Sequence, residues 1–257
     1  MLTCKNISKT FYPGTANERC ALANVNLTLR RGEFVVIIGG NGSGKSTLLN
    51  VVSGNIMSDE GRVYIDKQDV TFQREHRRAR YIGRVFQDPM RGTAASMTIE
   101  ENLALANRRG SRRGLGRGVK KSERTMFKEM LAPLELGLED RLTARVGLLS
   151  GGQRQALTLL MASMRDPKVL LLDEHTAALD PKTAAKVLEI SLQLVREHEL
   201  TTLMVTHNMN DALRFGDRLI MMQEGCIVFE AAGQEKQALS VPDLVEKFVS
   251  IGSEVVC

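Results

Sequence analysis

No tract in this 257-residue chain approaches the roughly 18 consecutive apolar residues that a membrane-spanning helix requires, although 43% of the residues are hydrophobic. The opening residues, Met1-Leu2-Thr3-Cys4-Lys5-Asn6, lack the charged start and apolar core of a secretory leader, so the chain is placed in the cytoplasm. Cys4, Cys20, Cys226 and Cys257 form no C-x-x-C pair. Neither a zinc site nor a disulfide framework is indicated, and reduced thiols are expected. Nothing recurs with a period of about 20 to 50 residues, which excludes a solenoid. The net charge of +5 leaves nucleic acid, anionic lipid headgroups and ATP all open as partners.

What is present is organised around Gly39-Gly40-Asn41-Gly42-Ser43-Gly44-Lys45-Ser46-Thr47, which fits the phosphate-cradling pattern G-x-x-x-x-G-K-[ST]. An apolar run, Phe34 to Ile38, ends directly at Gly39, and a helix-compatible run follows from Thr47 to Val52. Strand, loop and helix are the context this motif needs. The glycines let backbone N–H groups close around phosphates, Lys45 adds a mobile charge, and the helix N-terminus favours an anion. Ser46 is expected to offer its hydroxyl to Mg²⁺.

Upstream, Leu2 to Thr10 and Leu22 to Leu29 read as strands, joined through a turn that carries Phe11 and Tyr12. An aromatic here can stack on an adenine or anchor a loop, and composition favours neither. Downstream, Gly54 reads as a helix C-cap, Arg62 to Ile65 and Ile82 to Phe86 as strands, and Gln87-Asp88-Pro89 as a loop. Thr98-Ile99-Glu100-Glu101 has capping-box spacing, and a helix through Ala106 is expected. The stretch from Arg108 to Lys121 is the most basic in the chain and has neither an acidic nor an aromatic residue. Without stacking platforms it is a poor single-strand reader, and a solvated flexible excursion is expected, with headgroup contact second. Met126, Phe127, Met130, Leu131 and Leu134 form a helical core stripe.

Leu149-Ser150-Gly151-Gly152-Gln153 opens an apolar-striped helix and makes a second anion-ready turn. Val169 to Leu172 is a buried-strand run ending on Asp173 and Glu174. Asp173 is placed to hold Mg²⁺ through its water shell and Glu174 to polarise an attacking water. Asp180-Pro181 starts a helix to Glu197. Thr202 to Thr206 is the next strand and delivers His207, which ends its strand as Glu174 does. A hairpin turns at Glu224-Gly225, and Ser240 caps a last helix ending near Ser250. Strands alternating with helices predict an α/β fold with a mixed, mostly parallel sheet and an antiparallel portion. Residues 98–146 lack strand patterns and are expected to form a helical subdomain against a core of 1–97 and 147–257.

In that order, the P-loop, Leu149 to Gln153, and Asp173-Glu174 resemble the ATP-binding subunits of ABC transporters, over nearly the whole chain. The resemblance implies a P-loop NTPase cassette with ATP and Mg²⁺ as cofactors. It makes Phe11 the adenine-stacking aromatic, Gln87 a loop glutamine touching Mg²⁺ beside Ser46 and Asp173, Asp180 the D-loop acid, and His207 the switch on the γ-phosphate. It further implies a head-to-tail dimer with a second copy, in which ATP on Lys45 of one chain is covered by Ser150 and Gly152 of the other. Membrane permease subunits would be moved through residues between Gln87 and Thr98, placing the chain peripherally on the cytoplasmic face of the membrane.

Two features depart from the family's pattern. His175 stands where proline is usual, loosening the turn into Thr176 and offering a group that can titrate near neutrality. Met90 to Met97 is longer and richer in glycine and alanine than usual. The segments Gln87 to Ala95 and Asp173 to Asp180 resemble a bacterial importer group paired with extracytoplasmic binding proteins for amino acids such as tryptophan. An exporter motor is one alternative, and a soluble ATPase acting on DNA or ribosomes is another. The latter has only the basic stretch in its favour, since no heptad arm or cysteine cluster separates Lys45 from Ser150, and no specific nucleic-acid partner is expected.

Overall fold

The computed structural model describes residues 1–110 and 118–252, with side chains through 250. Its elements in chain order are β1 (Leu2–Phe11), β2 (Arg19–Leu29), β3 (Phe34–Ile38), α1 (Lys45–Ser53), β4 (Glu60–Ile65), β5 (Gln68–Asp69), α2 (Glu75–Arg78) and β6 (Ile82–Val85). There follow α3 (Ile99–Asn107), α4 (Lys121–Leu131), α5 (Gly151–Ser163), β7 (Val169–Asp173), α6 (Pro181–Glu197) and β8 (Thr201–Val205). The chain continues with α7 (Met209–Arg214), β9 (Arg218–Gln223), β10 (Cys226–Ala232), α8 (Gly233–Ala238) and α9 (Val241–Gly252). The chain forms two compact units, residues 1–81 with 200–257, and residues 82–199.

In the first unit, β3 is buried at all five positions and runs parallel to both β8 and β9, with Val36 opposite Met204 on one side and Leu219 on the other. A strand covered on both faces has no solvent side, which is why its sequence is a continuous apolar run without alternation. The antiparallel strand β10 completes this group, and the hairpin with β9 turns through Glu224 at φ 46° and Gly225 at φ 83°. A second, antiparallel sheet has the order β2-β1-β4-β5. Here burial does alternate: Val25, Leu27 and Leu29 point inward between exposed polar neighbours. The first strand extends one residue beyond expectation, through Phe11, and the turn begins at Tyr12, whose φ is 52°.

The second unit pairs β6 with β7 in parallel and packs α5 against both β6 and α6. Among its described residues, 98–146 contain no strand, only an isolated bridge from Thr98 to Arg145. Phe127, Leu131 and Leu134 of the expected stripe are buried, while Met126 and Met130 are half-buried. The capping box on α3 forms as read: Thr98 Oγ1 accepts from the Glu101 N–H, and Glu101 accepts from the Thr98 N–H.

The basic stretch departs from expectation at its start. Arg109 is not a solvated side chain: its guanidinium donates to the carbonyls of Ala162 and Met164 at 2.9 and 2.6 Å and so caps the C-terminal end of α5. Arg108 pairs with Glu123 at 3.0 Å. The middle of the stretch, 111–117, lies outside the described residues. Cys4 and Cys20 are free thiols, whereas Cys226 is disulfide-bonded, against the reading of reduced thiols throughout. Among the described residues no helix is long and apolar enough to cross a membrane.

Candidate nucleotide and cation site

The phosphate loop lies in the first unit, between the buried strand β3 and α1. Gly44 caps α1 at φ 99°, a left-handed conformation that side chains resist. At Gly39 the reason is space: a Cβ would lie 2.3 Å from the Met222 carbonyl and 2.5 Å from Ser43 Oγ. Lys45 is folded back onto its own loop. Its Nζ donates to the carbonyls of Gly39 and Gly40, each at 2.8 Å, and to Ser43 Oγ at 3.3 Å. Asn41, Gly42 and Ser46 are exposed and Thr47 is half-buried, so the hydroxyl next to the lysine faces outward.

Three neighbours of the loop were not legible in the sequence. Arg19 donates to the Gly42 carbonyl at 2.9 Å. A Cβ on Gly40 would meet the ring of Phe248, on α9, at 3.7 Å. At the far end of α1, Arg78 is 1% exposed and donates to the carbonyls of Val51 at 2.7 Å and Val52 at 2.8 Å, with further bonds to the Thr71 and Gln73 carbonyls. A cation at the negative end of the helix dipole, holding carbonyls of the last turn, fixes the base of the helix whose other end carries the loop. Burial lowers the Arg78 pKa to about 10, so it remains charged at neutral pH.

Also in this unit, Phe11 is half-buried at the end of β1 with the Lys9 ammonium 5.8 Å from its ring, while Tyr12 is 69% exposed. His207 is exposed just after β8, and Asn208 beside it caps α7 through the N–H groups of Asn210 and Asp211.

The second unit holds the remaining candidates. Asp173 ends β7 and pairs with Arg84 of β6, Nη2 to Oδ2 at 3.0 Å. Glu174 adopts φ 43°, strained for a residue with a Cβ, and its carbonyl accepts from the Ala177 N–H. Strain of this kind persists where surrounding structure enforces it, commonly at functional positions. Gln87 is exposed in the loop after β6. Ser150 and Gln153 close a second capping box at the start of α5, with reciprocal bonds of 3.3 and 3.2 Å. Gly151 is exposed, but Gly152 is buried: a Cβ there would lie 2.1 Å from Thr183 on α6. Close approach of two helix starts therefore requires that glycine, whatever else it does. Asp180 caps α6 by accepting from the Thr183 N–H at 3.1 Å, and hydrogen bonding from the Thr183 side chain, then from its N–H, holds the Asp180 carboxyl below the usual range.

Two backbone anchors fix the segment after Gln87. Gln155 of α5 donates through Nε2 to the Phe86 carbonyl at 3.0 Å. Asn102, 1% exposed on α3, accepts from the Ala94 N–H at 2.8 Å and donates to the Ala94 and Thr98 carbonyls at 3.1 and 2.9 Å.

His175 is not the near-neutral titrating group that the sequence allowed. It is 2% exposed, its Nε2 lies 2.9 Å from Ser191 Oγ, and burial lowers its pKa to about 4. Because Ser191 donates its proton to the Val187 carbonyl, Nε2 carries the imidazole hydrogen. An unfolded histidine titrates near 6.5, so the unfolded chain binds more protons between pH 6.5 and 4. Stability associated with this residue is therefore complete above about 6.5 and declines as the pH falls toward 4, by about 3 kcal/mol in all. His175→Gln is expected to lose that decline, seen as the difference between the two proteins' denaturant midpoints across this range. Parallel curves would refute it.

Mg²⁺ fits the chemistry of these donors. A hydroxyl on Ser46, an amide oxygen on Gln87 and a carboxylate on Asp173 are all hard oxygen ligands. No group of three or more His, Cys, Asp or Glu stands together among the described residues. Within each unit, donors of this kind suit a small hard cation that retains waters and borrows phosphate oxygens better than one needing a complete protein cage.

Comparisons with known proteins bear on the family. Residues 22–177 match the sequence profile of the family described as ABC transporter. The chain is 46% identical to the tyrosine transport ATP-binding protein of Clostridioides difficile, over 96% of this chain and 98% of that one. It is 32% identical to a probable branched-chain amino acid transport ATP-binding protein of Archaeoglobus fulgidus, over 100% and 98% of the two chains. Among solved structures, a dimeric ATP-binding cassette in a post-hydrolysis state with ADP and Pi superposes with a TM-score of 0.76 at 35% identity, covering 90% of this chain and 98% of that one.

Proposed function

Since the chain belongs to the ABC transporter family, whose ATP-binding subunits hydrolyse ATP, we propose that it is the motor of an importer that takes up an amino acid, an aromatic one in particular. The observation that carries this reading is the 46% identity, spread over nearly the full length of both chains, to a subunit named for tyrosine transport. A relative named as a probable branched-chain amino acid transport subunit supports the broader class. Tryptophan, which the resemblance of residues 87–95 and 173–180 implies, is a second aromatic candidate. A single cassette with a helical subdomain near 98–146 remains our reading of its organisation.

In this scheme Lys45 leaves the carbonyls of Gly39 and Gly40 for the phosphates, and N–H groups of the loop and of the first turn of α1 complete the cradle. Phe11 stacks on the adenine. Ser46, Gln87 and Asp173 would hold Mg²⁺, which would supply charge neutralisation at the phosphoryl oxygens. Glu174 accepts a proton from the attacking water, and His207 holds the γ-phosphate end of the site. Ser150, Gly151, Gly152 and Gln153 of a second copy cover the nucleotide from the opposite side, with Asp180 beside them. The dimeric state of the ADP- and Pi-bound relative supports such a pairing. Closing and opening of that dimer would move permease subunits through the loop between Gln87 and Thr98, with an extracytoplasmic binding protein delivering cargo and this chain on the cytoplasmic face of the membrane.

Lys45→Met is the test. Binding of a fluorescent ATP analogue is expected to weaken by about a hundredfold, as befits loss of charge-assisted bonds to phosphate. In cells carrying only this variant, uptake of labelled tyrosine or tryptophan is expected to fall to background. Undiminished uptake of both would overturn the cargo assignment. Nucleotide affinity within a few-fold of wild type would overturn the role of Lys45.

A further inference from the structure

Arg84 belongs to none of the motifs described above, yet it touches the carboxylate on which the cation site depends. In the parallel pairing of β6 and β7 it lies opposite Leu171. Side chains alternate along a strand, so Leu171 and Asp173 share a face, and a long side chain at 84 reaches diagonally along it. The guanidinium sits 3.0 Å from Asp173 Oδ2, and the two side chains are 9% and 13% exposed. On its other side, its Cζ is 4.6 Å from the centroid of the Phe86 ring, which also takes Arg91 at 5.2 Å. Gln155 fixes the Phe86 backbone to α5, the helix that begins at the Ser150 turn.

We propose that Arg84 occupies the cation's place at Asp173 and sets the affinity of the site for Mg²⁺ by competing with it. This rests on the reading of Asp173 as a cation ligand. A carboxylate this sheltered is costly to leave unpaired, and Arg84 supplies the missing charge. A divalent cation drawn to the same oxygens meets a guanidinium already there, and two cations in a half-buried site repel. The Phe86 face gives the displaced guanidinium somewhere to go, since cation–π contact survives a shift away from the carboxylate. Arg84 is thus a positioning residue: it holds Asp173 when no cation is present, and its release is felt first at Phe86, one residue before Gln87.

The experiment is a Mg²⁺ titration of fluorescent ATP-analogue binding to the full chain, with the analogue's affinity in EDTA as the reference. Arg84→Met keeps the stem and removes the charge. Its half-saturating Mg²⁺ is expected to fall about tenfold, the fold-change that the net worth of one charge-assisted hydrogen bond converts to, while affinity in EDTA changes less than about twofold. Arg84→Lys retains the charge and is expected to keep a midpoint near wild type. An unchanged or raised midpoint in Arg84→Met overturns the proposal, and Arg84→Gln carries the same expectation if Arg84→Met fails to fold. Asp173→Asn separates the two levels: it should abolish the Mg²⁺ dependence with or without Arg84. Full Mg²⁺ dependence in Asp173→Asn would remove Asp173 from the cation site itself, a failure distinct from an unmoved midpoint in Arg84→Met.

Discussion

Glu174→Gln is expected to lower ATP turnover by about a thousandfold, within the range that a positioned general base contributes. Glutamine is nearly isosteric, so the strained turn at position 174, with φ 43°, should form as before. What it lacks is a basic oxygen to take the proton from the attacking water. Nucleotide affinity should accordingly stay within about threefold of wild type, because binding and chemistry draw on different atoms. With ATP bound and no hydrolysis to reopen it, the paired state should accumulate as a species of twice the monomer mass by size-exclusion chromatography with light scattering. Steady-state phosphate release supplies the other measurement. Turnover within about tenfold of wild type would remove Glu174 from the role of base.

The second large effect is on stability and involves no substrate. Arg78→Met should cost about 3 kcal/mol or more, because it strips the carbonyls of Val51, Val52, Thr71 and Gln73 of a buried charged donor and removes the cation from the end of α1. The side chain has no carboxylate in its bonding set, so its removal leaves no uncompensated anion behind. The loss is of hydrogen bonds and helix-end charge, with a smaller attraction to Asp69 beside them. In a chain of this size the change corresponds to a fall in Tm of roughly 6 to 12 °C. Arg78→Lys should recover only part of it, since one ammonium cannot span the four acceptors that the guanidinium fork reaches. A melting temperature within about 2 °C of wild type would show that the carbonyls find other partners at little cost.

Local patterns were legible wherever a short stretch of sequence determines its own conformation. The phosphate loop followed from one motif between an apolar run and a helical one, and the capping box at Thr98 from two side chains three residues apart. The C-cap after α1 and the turn at Glu224-Gly225 were marked by Gly54 and Gly225, which tolerate positive φ. What escaped was every arginine whose partner is a backbone carbonyl distant in sequence. Arg78 stands in the run Arg74-Glu75-His76-Arg77-Arg78, which carries no motif, and only the folded chain surrounds it with carbonyls. Arg109 was hidden in the same way inside a basic stretch. His175 was read from its pKa in water, whereas burial against α6 governs it. Gly152 illustrates a further limit: its motif announced an anion-ready turn, but its burial against Thr183 depends on how α5 meets α6, which no local pattern encodes.

The grip of Asn102 on residue 94 has a consequence for how such a chain can change over generations. Its amide reads only main-chain atoms, accepting from the Ala94 N–H and donating to the Ala94 carbonyl. The identity of the side chain at 94, or of its neighbours from Met90 to Met97, does not enter into those bonds. A lineage can therefore rewrite the outward face of this loop to suit an altered partner while its mounting stays fixed. Drift would be resisted at the buried asparagine on another element and at Gly92, where a Cβ would lie 2.3 Å from Thr158, and tolerated at the exposed positions between.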